Sequence, residues 1–131
     1  MTIELWMLIG STVLLFVLTM GQQLQLDLTL GAKYALSNRT EPKTIDGIAG
    51  RIDRAIMNLR ENLLLFGPVV LVLAVAGIST GLSQTGAIVF FIARIIHAIT
   101  YIAGVILIRS LAWFTGIIGI GMMLSSLFAG Q

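Results

Sequence analysis

Arg51, Arg54, Asn58 and Glu61 follow one another at steps of three, four and three residues, and Arg94, His97 and Tyr101 at steps of three and four. At about 100° per residue the first set falls within an arc of roughly 80° on a helix, and the second occupies a similarly narrow face. Both sets adjoin long apolar runs, where ionisable groups are costly and point to a functional site. Such groups can bind a ligand, hold helices to one another or relay protons. Asp53 and Arg60 point the opposite way on their helix, toward headgroups or a neighbour. One histidine and one nearby carboxylate are too few ligands for a metal site, so none is expected. The chain has no cysteine, which excludes disulfides, thiolate metal sites and a cysteine nucleophile. Sulfur chemistry would need a thiol carried by the substrate.

The elements that must position these residues are membrane spans. Of 131 residues 57% are hydrophobic and only 11% charged, with a mean hydropathy of +1.00. Too few polar residues exist to cover a soluble domain of this size, so the bilayer must surround it. A span needs about 20 residues at 1.5 Å rise to cross roughly 30 Å of hydrocarbon. Four apolar runs meet that need, and the sequence predicts one domain, 1–131, with helices over 3–26, 50–78, 86–108 and 110–129. Barrel strands alternate in polarity and these runs do not, so the fold class is an all-α, four-helix membrane bundle. Pro68 removes one amide hydrogen bond and is expected to bend the second helix. The N-terminal run is read as a retained helix and not as a signal peptide, because Glu4 stands where a signal carries a base.

The connections set an orientation. The 27–50 loop carries Lys33, Arg39 and Lys43, closely followed by Arg51 and Arg54, whereas 79–85 carries no charge. The positive-inside rule places that loop and the Arg109-Ser110 turn in the cytoplasm, with both termini outside. The net charge of +2 forms no basic stripe with interleaved aromatics, so no nucleic-acid partner is expected. With helix ends near 51 and 109, antiparallel packing of the second and third helices would set Glu61 opposite His97 and Asn58 opposite Tyr101. Arg94 would lie one turn deeper, within reach of Glu61, and Arg109 at the mouth. The result would be one polar column open to the cytoplasm.

These residues also have a purely structural reading. Polar side chains hydrogen-bond between membrane helices for less than about 2 kcal/mol each, and a Glu61–Arg94 pair would neutralise itself. Arg51, Arg54 and Arg109 would then anchor at the interface, alongside Trp6, Tyr34 and Trp113.

The run from Arg51 to Asn62, followed by an apolar helix bearing a proline, resembles the second-helix signature of the MAPEG family, the membrane-associated proteins in eicosanoid and glutathione metabolism. Ala93-Arg94-Ile95-Ile96-His97-Ala98-Ile99-Thr100-Tyr101 looks like that family's next signature, and Arg109-Ser110 like its third. The resemblance implies a homotrimer of four-helix subunits that binds glutathione in clefts between subunits and acts on small lipophilic substrates. It implies that Arg51, Arg54, Asn58, Glu61, Arg94, His97 and Tyr101 bind this co-substrate, while Arg109 and Ser110 lie nearest the thiol and carry catalysis. Glutathione has two carboxylates and an ammonium, which arginines and one acid complement. A nearby cation favours its thiolate. The chain departs from glutathione-using relatives at Gln22, Gln23, Leu24 and Gln25, where they tend to carry an arginine, at Ile56 and Met57, and at Trp113, where they carry tyrosine.

The sequence therefore favours a glutathione-dependent transferase or peroxidase acting on lipophilic electrophiles. The alternatives are a non-catalytic binding or assembly module whose polar column only holds the oligomer together, and a proton or small-solute pathway through Glu61, His97 and Tyr101.

Overall fold

Hydrocarbon offers no hydrogen bonds, so each backbone amide and carbonyl within it must be satisfied by the protein itself. The computed structural model of the chain, which describes residues 1–37 and 46–129, meets this constraint with helices. They are α1 (Ile3–Leu30), the short α2 (Ala32–Ala35), α3 (Gly47–Val75), α4 (Gly81–Ala103) and α5 (Ile106–Ala129). The four long ones are each long and apolar enough to cross a membrane, and the chain is a multi-pass membrane protein. Large apolar side chains cover the outside, Val75, Phe128 and Leu28 among the most exposed. Such a surface suits acyl chains and not water. Arg39 and Lys43 lie outside the described residues.

Hydroxyls inside the spans follow the same rule. Ser11 donates to the Met7 carbonyl, Thr19 to Leu15 and Thr115 to Leu111, each one turn back along its own helix. The helices meet in a core of Phe66, Val70 and Leu73 from α3, Ala87 and Phe90 from α4, and Ile120 and Met123 from α5, with Leu5 and Leu8 of α1 packed against it. Phe66 and Phe90 stack with ring centroids 3.9 Å apart. The α4–α5 pair is the most extensive contact. Its helices approach until a Cβ on Gly119 would stand 2.6 Å from the Gly86 carbonyl oxygen, so neither position accepts a side chain without a backbone shift.

The helix ends differ from the expected spans, for reasons of capping chemistry. α1 runs on to Leu30, where Gly31 returns its amide to Asp27. α3 begins at Gly47 and stops at Val75, with the amides of Ala76 and Ile78 bonded back to Val72 and Leu73. α4 starts at Gly81, ahead of the predicted residue 86, because Thr80 and Ser83 form a capping box. It ends at Ala103, well short of 108. Gly104 adopts a left-handed backbone (φ 81°, ψ 18°), and the Gly104 and Val105 amides fold back to Tyr101 and Thr100. Arg109 and Ser110 therefore lie within the opening turns of α5, not in the connection before it.

At the end of the bundle where α1 and α4 begin, Glu4 is almost completely buried. It accepts hydrogen bonds from the hydroxyls of Ser83 and Ser79, the residues that open α4. The free amides at a helix start carry partial positive charge, which suits a carboxylate there. Glu4→Ala should strip these hydroxyls of their acceptor and cost on the order of 2 kcal/mol, as loss of a charge-assisted hydrogen bond does. The midpoint of thermal unfolding in detergent should fall accordingly, while Glu4→Gln, which keeps one acceptor, should lose less.

Candidate functional site

Asn58 of α3, His97 and Tyr101 of α4, and Arg109, Ser110, Trp113 and Phe114 of α5 line one pocket of about 250 Å³. Its position follows from the helix ends just described. α4 stops one turn beyond Thr100, and only two residues separate it from α5, so the last turn of one and the first turns of the other stand side by side. Asn58 closes the pocket from α3. Five of the residues singled out in the sequence, Asn58, His97, Tyr101, Arg109 and Ser110, are thus brought together.

The Arg109 guanidinium lies over the Tyr101 ring at 4.5 Å from its centroid, a cation–π contact that fixes the charge at the pocket wall. Tyr101 in turn leans on His97, with centroids 5.5 Å apart. His97 is 5% exposed, and no protein group among the described residues hydrogen-bonds to its ring nitrogens. Ser110 donates its hydroxyl to the Ile106 carbonyl at 3.0 Å, which leaves the oxygen's lone pairs free. Trp113 and Phe114 meet edge-on and form an aromatic wall.

Arg94 is placed differently from expectation. It is 1% exposed and does not line the pocket. Its Nη1 donates to Asn58 Oδ1 at 3.2 Å, and its Nη2 donates to the main-chain carbonyls of Ala112 and Trp113, also at 3.2 Å. The expected Glu61–Arg94 pair is not formed, and Glu61 is exposed on α3. The cause is register. Arg51 donates to the Ile102 carbonyl at 2.8 Å, whereas the expected packing set residue 51 level with 109. This shift of about seven residues, two turns of helix, brings Asn58 level with Arg94 and carries Glu61 past the pocket. Arg51 acts on the α4 C-terminus, where a cation suits the unpaired carbonyls, and Arg54 is exposed beside Glu61's face. Asp53, expected to meet a neighbour or headgroups, accepts from Gln22 of α1 at 2.6 Å.

Two residues that the sequence reading overlooked support the site. Asn62, buried on α3, donates to both the carbonyl and the Oδ1 of Asn58, and it lies one helical turn from Asn58 on the same face. Gly116 of α5 carries the Arg94 guanidinium directly, since a Cβ there would stand 2.5 Å from Nη2. Among the described residues no three His, Cys, Asp or Glu side chains gather where a metal ion could be held.

Fold and pocket together define a four-span membrane bundle with a cationic, half-aromatic pocket at the charged end of its helices. The chain belongs to the MAPEG family, whose sequence model matches residues 3–129. Comparison with curated proteins yields no match.

Because no acid among the described residues pairs with Arg94, its charge rests on the Asn58 oxygen and on two carbonyls. Asn58→Leu should cost about 1.5–3 kcal/mol, the range for a hydrogen bond to a charged group. Asn58→Asp, which keeps an acceptor and neutralises the guanidinium, should retain wild-type thermal stability in detergent.

Proposed function

We propose that the protein is a glutathione-dependent transferase or peroxidase acting on lipophilic electrophiles. The observation that carries this reading is the pocket that joins the Arg109 cation, the Ser110 hydroxyl and the Trp113–Phe114 wall. A tripeptide with two carboxylates and a thiol needs cations for its charge and a polarised place for its sulfur. Arg109 stands in the first turn of α5, where unpaired amides add to its positive field. That field favours the thiolate over the thiol, the released proton passing to water. The Ser110 hydroxyl would turn from the Ile106 carbonyl to the sulfur.

The thiolate then attacks an electrophilic carbon, forming a C–S bond as the leaving group departs with its electron pair. With a hydroperoxide it attacks the outer oxygen, giving an alcohol and a sulfenic acid, which a second thiol converts to disulfide and water. A lipophilic electrophile would reach the sulfur from the bilayer past Trp113 and Phe114.

Arg54 and Glu61 belong to this proposal through the oligomer. They are exposed on a helix apolar enough to cross the membrane, and a charge facing acyl chains is costly. A homotrimer would cover that face and complete the site between subunits, with Arg51, Arg54 and Glu61 approaching the bound peptide from α3. The active face would be cytoplasmic and both termini outside, following the positive-inside rule.

The second reading, an assembly module without catalysis, is favoured by how fully Arg51 and Arg94 are occupied with main-chain carbonyls. Two measurements separate the readings. Isothermal titration should show glutathione binding at micromolar to millimolar concentration, and Arg109→Ala should lower turnover of a reactive aryl halide at least a hundredfold while the oligomer persists. A wild-type protein that neither binds nor turns over at millimolar thiol would rule out the catalytic reading. Glu61→Gln tests the covered face separately: it should weaken the oligomer seen by chemical crosslinking in native membranes.

A further inference from the structure

We propose that Arg94 is a positioning residue whose guanidinium, seated on Gly116 and bound to the main chain of α5, sets the height and rotation of the turns that carry Arg109, Ser110 and Trp113. The inference rests on the pocket being the functional site, though its central claim concerns the geometry of α5.

Toward the far end of the bundle α4 and α5 interlock closely, through Gly86, Gly119, Phe90 and Met123. Toward the pocket the seam is flanked by two hollows. One is the pocket itself. The other is an apolar groove of about 320 Å³ between the same two helices, lined by Val89, Ile92 and Ile96 of α4 and Ile108, Leu111 and Thr115 of α5, among others. Apolar packing is non-directional, and a helix with hollows on both sides can roll or slide at little cost.

Beside the Arg109–Tyr101 stacking contact, Arg94 supplies the hydrogen bonds that join α4 to α5 among the described residues. Its Nη2 reaches two successive carbonyls, those of Ala112 and Trp113, so it specifies both the level of α5 and the side it presents. Its Nη1 bonds to Asn58, which ties the same group to α3. The guanidinium lies 5.5 Å from the Phe90 ring centroid on its own helix and against Gly116 on the next. A planar fork with five donors suits this task, and an ammonium point charge does not. Trp113 joins both systems, since its carbonyl takes the Arg94 bond while its residue lines the pocket.

The test uses the full-length protein in detergent with Trp6→Phe, which leaves Trp113 as the remaining tryptophan of the two. Gly116→Ala, Arg94→Met and the double variant form a cycle read by Trp113 emission and its quenching by acrylamide. Gly116→Ala should shift the emission and change the quenching constant by twofold or more, and this effect should vanish in the Arg94→Met background, where no guanidinium remains to be displaced. Equal effects in both backgrounds, or none in either, would overturn the proposal. Arg94→Lys retains the charge and should behave like Arg94→Met in emission; wild-type emission in that variant would also overturn it. Should Arg94→Met fail to fold, Gly116→Ala against Arg94→Lys completes the cycle. In the turnover assay Gly116→Ala should lower kcat tenfold or more with KM within twofold. If the wild type shows no thiol chemistry at all, the reading of the reaction fails, and the emission cycle still decides the role of Arg94.

Discussion

A guanidinium sealed among membrane helices is the constraint around which the pocket-bearing half of this molecule is arranged. Arg94 is 1% exposed, and among the described residues no carboxylate bonds to it. Burying a cation without a counter-charge is tolerable only when enough fixed dipoles surround it. Here two peptide carbonyls and one amide oxygen serve, and each has a geometric cost elsewhere. The carbonyls require α5 to come within bonding distance, and the guanidinium then fills the space where a side chain at 116 would stand. The amide oxygen requires Asn58 to face inward, which Asn62 enforces from one turn further along. The pocket lies immediately outside this arrangement and inherits its shape.

The two ends of the bundle solve the same problem with opposite charges. At one end a carboxylate, Glu4, is sheltered by serine hydroxyls beside a helix start; at the other a guanidinium, Arg51, is sheltered by the carbonyl of Ile102 at a helix finish. Both follow the sign of the helix dipole. Between them the core is held by shape, with Phe66 on Phe90 and two glycines where α4 and α5 touch. The polar groups thus fix register and the apolar groups fix distance.

Much of this was legible in the sequence, in proportion to how strongly residue type marks each feature. Four spans and their order are visible because hydropathy integrates over some twenty residues and is insensitive to detail. The helix ends were harder. Gly104 sits inside an apolar run from 86 to 108, and hydropathy does not register a left-handed residue, although the Thr80–Ser83 capping pattern was available to set the start of α4. That misplaced end shifted the register by two turns and put Glu61 opposite His97. Asn58, His97, Tyr101, Arg109 and Ser110 line one pocket all the same, because helical spacing survives such a slip. The partners of Arg94 were not, because main-chain carbonyls leave no mark in a sequence; Gly116 is the sole trace. From sequence alone Glu4 speaks only against a signal peptide. The mark of its partners is a carboxylate in the first turn of an apolar span together with a cluster of hydroxyl residues at 79–83.

The Glu4–Ser83 contact joins residues 79 positions apart in the chain, and this bears on how the protein is made. Helices of a membrane protein enter the bilayer individually and associate afterwards. When α1 emerges from the ribosome the hydroxyls that shelter its carboxylate have not yet been synthesised, and α3 must follow before α4 can supply them. Until then the first helix carries an unmatched acid at one margin of the membrane. Its final seat is complete only once Ser83, nearly two thirds of the way along these 131 residues, has been made, so α1 must wait for α4 before it can lock.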